Sequence, residues 1–286
     1  MGILPQLILN SIIAGAIYSM VALGFNLIYS TTRFFDLGYG AITAVGGYTV
    51  FWLYKLHGVN LPLSILVAIV VAGLIGVLAD VLVYRRLRAR RASTMVLLVA
   101  SLGVFTMLQA VIAIIFSSQF QTLSSGGSKV YGVWGGAITE IQLIILCTAI
   151  VVMLLLGVFL KYTRFGRAIR AVGDDEEVAR VVGINTNKII RFVFFVSAGI
   201  GGLSGLLVGF DTGIEPTMGL NLLLKGVIAA IVGGIGSVWG GVLGAFFLGF
   251  VENFGIWQIS GEWKDAIAFA LLIVFLLFRP QGLIKK

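Results

Sequence analysis

The chain has 286 residues, of which 59% are hydrophobic and 11% charged, and its formal net charge is +8. A soluble domain carries roughly 25% charged residues, so this composition excludes a protein whose whole surface faces water. The positive charge does not indicate a nucleic-acid partner, because the basic residues occupy alternating loops between apolar runs and form no continuous surface.

Apolar runs recur along the chain and predict an all-α polytopic membrane protein. A helix needs about 20 apolar residues to cross a bilayer. The candidate spans are 6–30, 37–54, 62–84, 94–117, 140–160, 191–210, 222–238, 240–257 and 264–279. The glycine-rich region 221–261 forms either two short spans or one re-entrant hairpin. We therefore predict about eight or nine transmembrane helices in a single domain, 1–286.

The basic residues predict the orientation of these spans. Most of the twenty Lys and Arg residues lie in four clusters: Arg33, then Arg85 to Arg91, then 161–191, then Arg279 with Lys285 and Lys286. Cytoplasmic loops carry the excess of basic residues, so we expect the N-terminus outside and the C-terminus inside. The first apolar run has no small-residue cleavage site, and we interpret it as a retained first span. Among the external loops, 118–139 is the longest, and we expect a docking surface there or a disordered connection.

Glycine is frequent in two of the spans and recurs there every fourth residue. Transmembrane helices associate where small residues let their backbones approach, so tight helix packing is the favoured role and the lining of a substrate path is the alternative. The glycines in these series are Gly201, Gly205 and Gly209, and Gly236, Gly240 and Gly244.

A second glycine pattern points to an internal repeat. Gly40, Gly46 and Gly47 in the second span resemble Gly226, Gly233 and Gly234 in the seventh. Many transporters contain inverted repeats with glycine-interrupted segments in matching positions. We predict inverted repeats here, although chance similarity between such strings is the alternative.

Few residues in the spans can carry proton or ion chemistry. Glu252, beside Asn253, is the one acid that can lie within a span; a position at the membrane interface is the favoured interpretation, and a role in a transport pathway is the alternative. Asp36, Asp80, Asp211, Glu215, Lys225 and Asp265 fall near predicted span ends. With one histidine, no G-x-S-x-G and no G-x-x-x-x-G-K-[ST] phosphate loop, the chain is not expected to be a protease or an ATPase, and no cofactor or metal site is predicted.

The segment 161–191 is the one substantial charged surface, with seven of the twenty basic and four of the twelve acidic residues. Arg164, Arg167 and Arg170 form a basic stripe. Asp174 and Asp175 can cap a new helix, with Glu176 and Glu177 in its first turn and Gly183 as its left-handed stop. We expect a helix of about ten residues whose apolar face is Val178, Ala179, Val181 and Val182. Membrane lipid suits the basic stripe, but a protein partner suits both charge signs and is favoured.

Three segments together resemble a known family over essentially the whole chain. They are TRFGRAIRAVGDDEEVARVVGIN (163–185), KGVIAAIVGGIGSVWGGVLGAFFLGFVE (225–252) and KDAIAFALLIVFLLFRPQGLI (264–284). The chain resembles ABC-importer permeases of the branched-chain amino acid group, of the shorter H-type. The resemblance implies a bacterial inner-membrane protein, a paralogous second permease, two cytoplasmic ATPases that bind the ATP, and an extracytoplasmic substrate-binding protein.

The resemblance also implies which residues contact the ATPases. The helix from Asp174 to Gly183 would be the coupling helix seated in an ATPase groove. The implied contact residues are Arg164, Gly166, Arg167, Asp174, Asp175, Glu176, Glu177, Ala179 and Gly183. The implied packing or pathway residues are Gly40, Gly46, Gly47, Gly201, Gly205, Gly233, Gly234, Gly236, Gly240 and Glu252.

The transported solute is the more open part of this prediction. After the first span the family reads close to Asn-Phe-Ala-His-Gly, whereas this chain has Phe35-Asp36-Leu37-Gly38-Tyr39-Gly40. Branched-chain or related small amino acids are the expected cargo, and urea or short amides are the alternative. A stand-alone secondary transporter or channel is the alternative from a different class, disfavoured because so few ionisable residues lie within spans.

Overall fold

The computed structural model describes residues 3–124, 129–257, 259–279 and 281–284. Its helices in chain order are α1 (Ile3–Thr32), α2 (Gly38–Val50), α3 (Leu61–Ala79), α4 (Arg85–Ala89), α5 (Thr94–Phe116), α6 (Glu140–Tyr162), α7 (Arg164–Asp174), α8 (Glu176–Val181), α9 (Thr186–Asp211), α10 (Met218–Gly233), α11 (Val238–Gly255) and α12 (Lys264–Phe278). Within the described ranges, six helical stretches are long and apolar enough to cross a membrane. The polytopic all-α prediction is confirmed.

The predicted spans correspond to nine helical segments, some of them shorter than a full span. α2 continues as a π-helical turn over Phe51–Leu56, and α3 continues through another over Asp80–Tyr84 into α4. The glycine-rich region forms two separate helices, α10 and α11, joined by 234–237. α10 has only 16 residues, so it does not cross a bilayer of ordinary thickness as a straight helix.

The loop 118–139, which the sequence predicts to be external, contains a small antiparallel β-hairpin. Its strands are β1 (Val130–Val133) and β2 (Gly136–Thr139), with Val130 opposite Thr139. Trp134 lies in the turn and is 84% exposed. The hairpin gives part of the loop an ordered shape, while residues 125–128 of the predicted loop lie outside the described residues.

Helices α1–α3 and α9–α11 form an inverted repeat. α1 contacts α9, α10 and α11, while α9 reciprocally contacts α1, α2 and α3. α1 ends and α9 begins at the end of the bundle that carries α7 and α8, so the two long helices run in opposite directions. Each is followed by a short connection and a short buried helix, α2 or α10. This arrangement confirms the predicted inverted repeat.

The two short helices cross where one glycine of each meets the other. A Cβ on Gly40 would lie 2.8 Å from the carbonyl oxygen of Gly219, and a Cβ on Gly219 would overlap the carbonyl oxygen of Gly40. Reciprocal contacts of this kind are expected on a two-fold axis. Gly40 is therefore matched with Gly219, and the predicted match with Gly226 is wrong by seven residues. Gly47 follows Gly40 at the same spacing as Gly226 follows Gly219.

Several of the other predicted glycines lie at close backbone contacts. A Cβ on Gly46 would overlap the backbone of Gly202, and one on Gly205 would overlap that of Thr43, where α2 crosses α9. Gly201 lies against the ring of the fully buried Tyr39. These contacts confirm close helix packing as the structural role of the small residues.

The glycines between α10 and α11 serve the turn as well as the packing. A Cβ on Gly240 would lie 2.5 Å from the carbonyl oxygen of Gly233. Gly234 and Gly236 have φ angles of +113° and +85°, which L side chains rarely adopt. Gly236 is therefore a turn residue and does not belong to the helical series with Gly240 and Gly244.

Candidate functional site

The corner between α6 and α7 is built around Thr163 and Gly166. The Thr163 hydroxyl donates to the carbonyl oxygen of Phe159 at 2.7 Å and accepts from the backbone N–H of Gly166 at 2.9 Å. A Cβ on Gly166 would lie 2.5 Å from the carbonyl oxygen of Leu160. Gly166 is buried, so its role in this structure is to allow the corner, and it presents no side chain to a partner.

Helix α7 packs along the end of α1. A Cβ on Gly173 would lie 2.7 Å from the carbonyl oxygen of Ser30, and the guanidinium of Arg33 donates to the carbonyl oxygen of Gly173. Arg164 and Arg167, the first two members of the predicted basic stripe, are exposed. The position of α7 is thus fixed against a membrane-spanning helix.

Helix α8 has a capping residue at each end. The Asp175 carboxylate accepts from the backbone N–H groups of Glu177 at 2.8 Å and Val178 at 3.0 Å. Gly183 has a φ of +88°, its N–H donates to Arg180, and the next N–H donates to Ala179, which is a Schellman motif. The predicted cap at Asp175 and stop at Gly183 are confirmed.

The expected length of this helix is wrong. α8 has six residues, not about ten, because Asp174 ends α7 and does not cap α8. Ala179 is 2% exposed, but the other members of the predicted apolar face point away from the protein. Val178, Val181 and Val182 are 58%, 86% and 69% exposed.

The charges of α8 lie on the same exposed element. Glu176 and Arg180 form an i,i+4 ion pair of 2.9 Å, and Glu177 is exposed. Close to α8, Arg88 pairs with the buried Asp80. The end of the bundle that carries α7 and α8 is called the basic end below.

A buried charge cluster lies towards the opposite end, centred on Glu252. This carboxylate is fully buried, accepts from the Tyr18 hydroxyl at 2.7 Å and pairs with Lys225 at 2.5 Å. Lys225 also pairs with Asp265 at 2.7 Å, and Lys264 lies 3.8 Å from Glu252. Glu252 packs inside the bundle against α1 and α10, three residues before the end of α11. Two cations and two anions make the cluster neutral, which offsets the large desolvation cost of each charge.

Comparisons with known proteins agree with this architecture. A family model described as "Branched-chain amino acid transport system / permease component" matches residues 7–276. The chain belongs to this family. The high-affinity branched-chain amino acid transport system permease protein BraD of Pseudomonas aeruginosa is 31% identical, over 98% of this chain and 95% of its own length. The corresponding LivH of Escherichia coli is 30% identical with the same coverage.

A solved structure shares the fold of this permease. A chain of PsaBC from Streptococcus pneumoniae, solved in complex with Fab, superposes with a TM-score of 0.55 at 13% identity. The superposition covers 95% of the permease and 91% of that chain. At this identity the likeness concerns the fold alone.

The permease distributes its predicted site residues over several regions. The residues of 164–183 lie together at the basic end, and most of the glycines lie at helix crossings within the bundle. Gly234 and Gly236 lie in the turn between α10 and α11, and Glu252 lies in the buried charge cluster. Sequence reasoning missed the partners of Glu252, namely Tyr18 and Lys225. The available signal was that Lys225 interrupts an otherwise apolar stretch, 218–233, which marks a charge that needs a buried partner.

Proposed function

We propose that this permease is the translocation subunit of an ATP-driven ABC importer for branched-chain amino acids. Its partners would be a paralogous second permease, two cytoplasmic ATPases that bind ATP, and an extracytoplasmic substrate-binding protein. Family membership supports the transport role. The sequence has no phosphate-binding loop of its own, which fits an energy source on separate subunits. The single permease domain spans 1–286.

The exposed valines of α8 are the observation that carries the ATPase contact. Val178, Val181 and Val182 stand in solvent on a helix that is capped at both ends. An apolar patch held out from the surface is typical of a protein interaction site. Lipid headgroups would be a poor partner, because Glu176 and Glu177 would face an anionic membrane surface. A groove on a cytoplasmic ATPase would accept both the valines and the acids.

The contacts of α7 indicate how movement of α8 would reach the bundle. α7 joins the end of α6 and packs on the end of α1 through Gly173 and Ser30. α1 contacts all three helices of the second repeat. Closure of the ATPase pair on ATP would therefore push α7 and α8 as one unit and rock the inverted repeats against each other.

The proposed sidedness places the basic end in the cytoplasm. α7 and α8 carry most of the charges of 161–191, and the positive-inside rule then puts the N-terminus outside and the C-terminus inside. The β-hairpin would lie on the external face, where the binding protein arrives. Labelling of a cysteine placed at Val130 or Val181 from one side of sealed vesicles tests this orientation.

Co-purification tests the ATPase contact directly. Val181→Arg and Gly183→Trp should reduce the ATPase recovered with the tagged permease at least tenfold, because each alters the exposed helix and leaves the bundle unchanged. Val130→Arg is the matched control, since Val130 is 62% exposed at the opposite end. Normal ATPase recovery with Val181→Arg would contradict the coupling role of α8.

A stand-alone secondary transporter is the second candidate, and the buried cluster favours it. Ionisable residues inside a membrane bundle mark ion or proton pathways in many carriers. All four charges of the Glu252 cluster are paired, however, which fits a purely structural role in holding the helices together equally well. Leucine uptake into vesicles that contain the permease alone, driven by an ion gradient, would support this candidate. Uptake that requires the ATPases and ATP would support the importer.

A further inference from the structure

A polar cavity of about 320 Å³ lies towards the opposite end, away from α7 and α8. It is an open cleft lined by residues of α1, α6, α9, α10, α11 and α12, and its volume is in the range of small-molecule sites. One wall is aliphatic and consists of Ile13, Ile17, Val208 and Leu222. The polar lining consists of Asn10, Tyr18, Gln142, Asp211, Asn253 and Lys264. The cavity therefore combines an apolar surface with groups of both charges.

Asp211 supplies the negative charge of this cavity. It is the last residue of α9, is half-buried, and makes no ion pair with any residue in the described ranges. Gln142 provides its polar contact. The amide oxygen of Gln142 accepts from the N–H of Thr139 at 3.1 Å, which turns the amide nitrogen towards Asp211. A half-buried carboxylate with one neutral donor retains the capacity to bind a cation.

Lys264 supplies the positive charge and makes the longest ion pair of the buried cluster. Its ammonium lies 3.8 Å from the Glu252 oxygen that Tyr18 already contacts at 2.7 Å. Lys225 holds the other Glu252 oxygen at 2.5 Å. The Lys264 side chain is 35% exposed, and an ammonium has three donors. Lys264 can therefore bind a further anion without loss of the Lys225–Glu252 pair.

We propose that this cavity binds the zwitterion of a branched aliphatic α-amino acid. Asp211 pairs with the α-ammonium, Lys264 pairs with the α-carboxylate, and Ile13, Ile17 and Leu222 contact the side chain. Tyr18, near the midpoint of α1, also lines this cavity. The assignment rests on the proposed function and adds the residues that would recognise its cargo. A neutral amide such as urea would leave both charges without counter-ions.

Protection of an engineered cysteine measures binding at this site without the binding protein. Cys147 is the single native cysteine and is replaced by alanine, and Leu222→Cys is introduced in the cavity wall. In the purified importer, leucine should slow modification by a small hydrophilic thiol reagent. Leucinamide, 4-methylpentanoate and urea should each need at least tenfold higher concentrations, because each lacks one or both charges.

Charge variants then assign the two groups. Asp211→Asn and Lys264→Gln should each raise the half-protecting leucine concentration about tenfold or more, since charge-assisted hydrogen bonds are the strong ones. Glu262→Gln is the matched control, because Glu262 is exposed two residues before Lys264 and does not line the cavity. If a charge variant fails to assemble, the comparison of leucine with its analogues still tests the same assignment, because it uses the Leu222→Cys protein with Asp211 and Lys264 intact.

The outcomes separate this inference from the proposed function. Leucine uptake by the intact importer without protection of Leu222→Cys would overturn the site and leave the function in place. A cysteine that is not labelled at all, or that leucine and urea protect equally, would also overturn the site. Failure of the intact importer to take up leucine would instead count against the proposed function.

Discussion

The buried pair between Lys225 and Glu252 offers the most direct energetic test of this structure. Lys225 contacts two carboxylates, Glu252 at 2.5 Å and Asp265 at 2.7 Å, and Glu252 is fully buried. Lys225→Met leaves the Glu252 charge with the Tyr18 hydroxyl and with Lys264 at 3.8 Å. Removal of one partner from a buried ion pair costs about 3–5 kcal/mol, and we expect a loss of this size.

The exposed pair between Arg180 and Glu176 gives the matched comparison. Its side chains are 65% and 37% exposed, and exposed i,i+4 pairs contribute about 0.3–0.5 kcal/mol. Arg180→Met should therefore lower the free energy of unfolding by about one tenth of the amount that Lys225→Met does. Chaotrope titration of the detergent-solubilised protein, followed by tryptophan fluorescence, measures both.

A double variant separates loss of a contact from an uncompensated charge. Lys225→Met with Glu252→Gln removes both charges of the pair, and neutral replacement of a buried pair is often close to neutral in stability. The double variant should recover more than half of the loss. If Lys225→Met costs less than about 1 kcal/mol, or if Glu252→Gln restores nothing, Glu252 is not the buried charge that the structure places there.

Further variants test the close contacts and the caps. Gly46→Ala should destabilise the protein by about 1–3 kcal/mol through overpacking against Gly202. Gly103→Ala, whose new Cβ would have nothing within 4 Å, should be neutral or slightly stabilising. The same unfolding titration measures both variants, and equal effects would contradict the α2–α9 crossing. Asp175→Ala should remove the N-terminal cap of α8 at a cost of about 0.5–2 kcal/mol, so that amide hydrogen exchange in α8 becomes faster. Asp175→Ser keeps a capping side chain and should restore slow amide exchange. Gly183→Ala should raise exchange in the same helix because of its positive φ, and unchanged exchange would contradict the Schellman motif.

Much of the fold is predictable from the sequence because its determinants are local. Apolar run length fixes which segments become helices, and the nine predicted spans each correspond to a helical segment. The caps of α8 were also predictable. An acid before a short helix and a glycine after it satisfy backbone groups within a few residues, and both Asp175 and Gly183 do so.

The partners of Glu252 were not predictable, because they depend on three-dimensional contacts. Tyr18 lies 234 positions away in the chain, and no local pattern links the two residues. What the apolar face of α8 contacts, at Val178, Val181 and Val182, could not be predicted for another reason. A short run of valines has the same spacing whether it faces the core of its own protein or a partner, and periodicity does not distinguish the two.

The two repeats solve the same packing problem with different chemistry. In the first repeat, the close contacts of α2 with α9 are made by glycines, as where Gly46 meets Gly202. In the second, the matching position of α10 is Lys225, six residues after the axial Gly219 as Gly46 is after Gly40. A lysine there cannot permit close backbone approach, and it binds Glu252 and Asp265 instead. In the second repeat glycine contacts also occur, as where Gly240 meets Gly233, and a buried charge cluster lies there beside a polar cavity of about 320 Å³. In the proposed rocking mechanism the two repeats would therefore contribute different chemistry, and the repeat that contains the charges would carry the proposed amino-acid site.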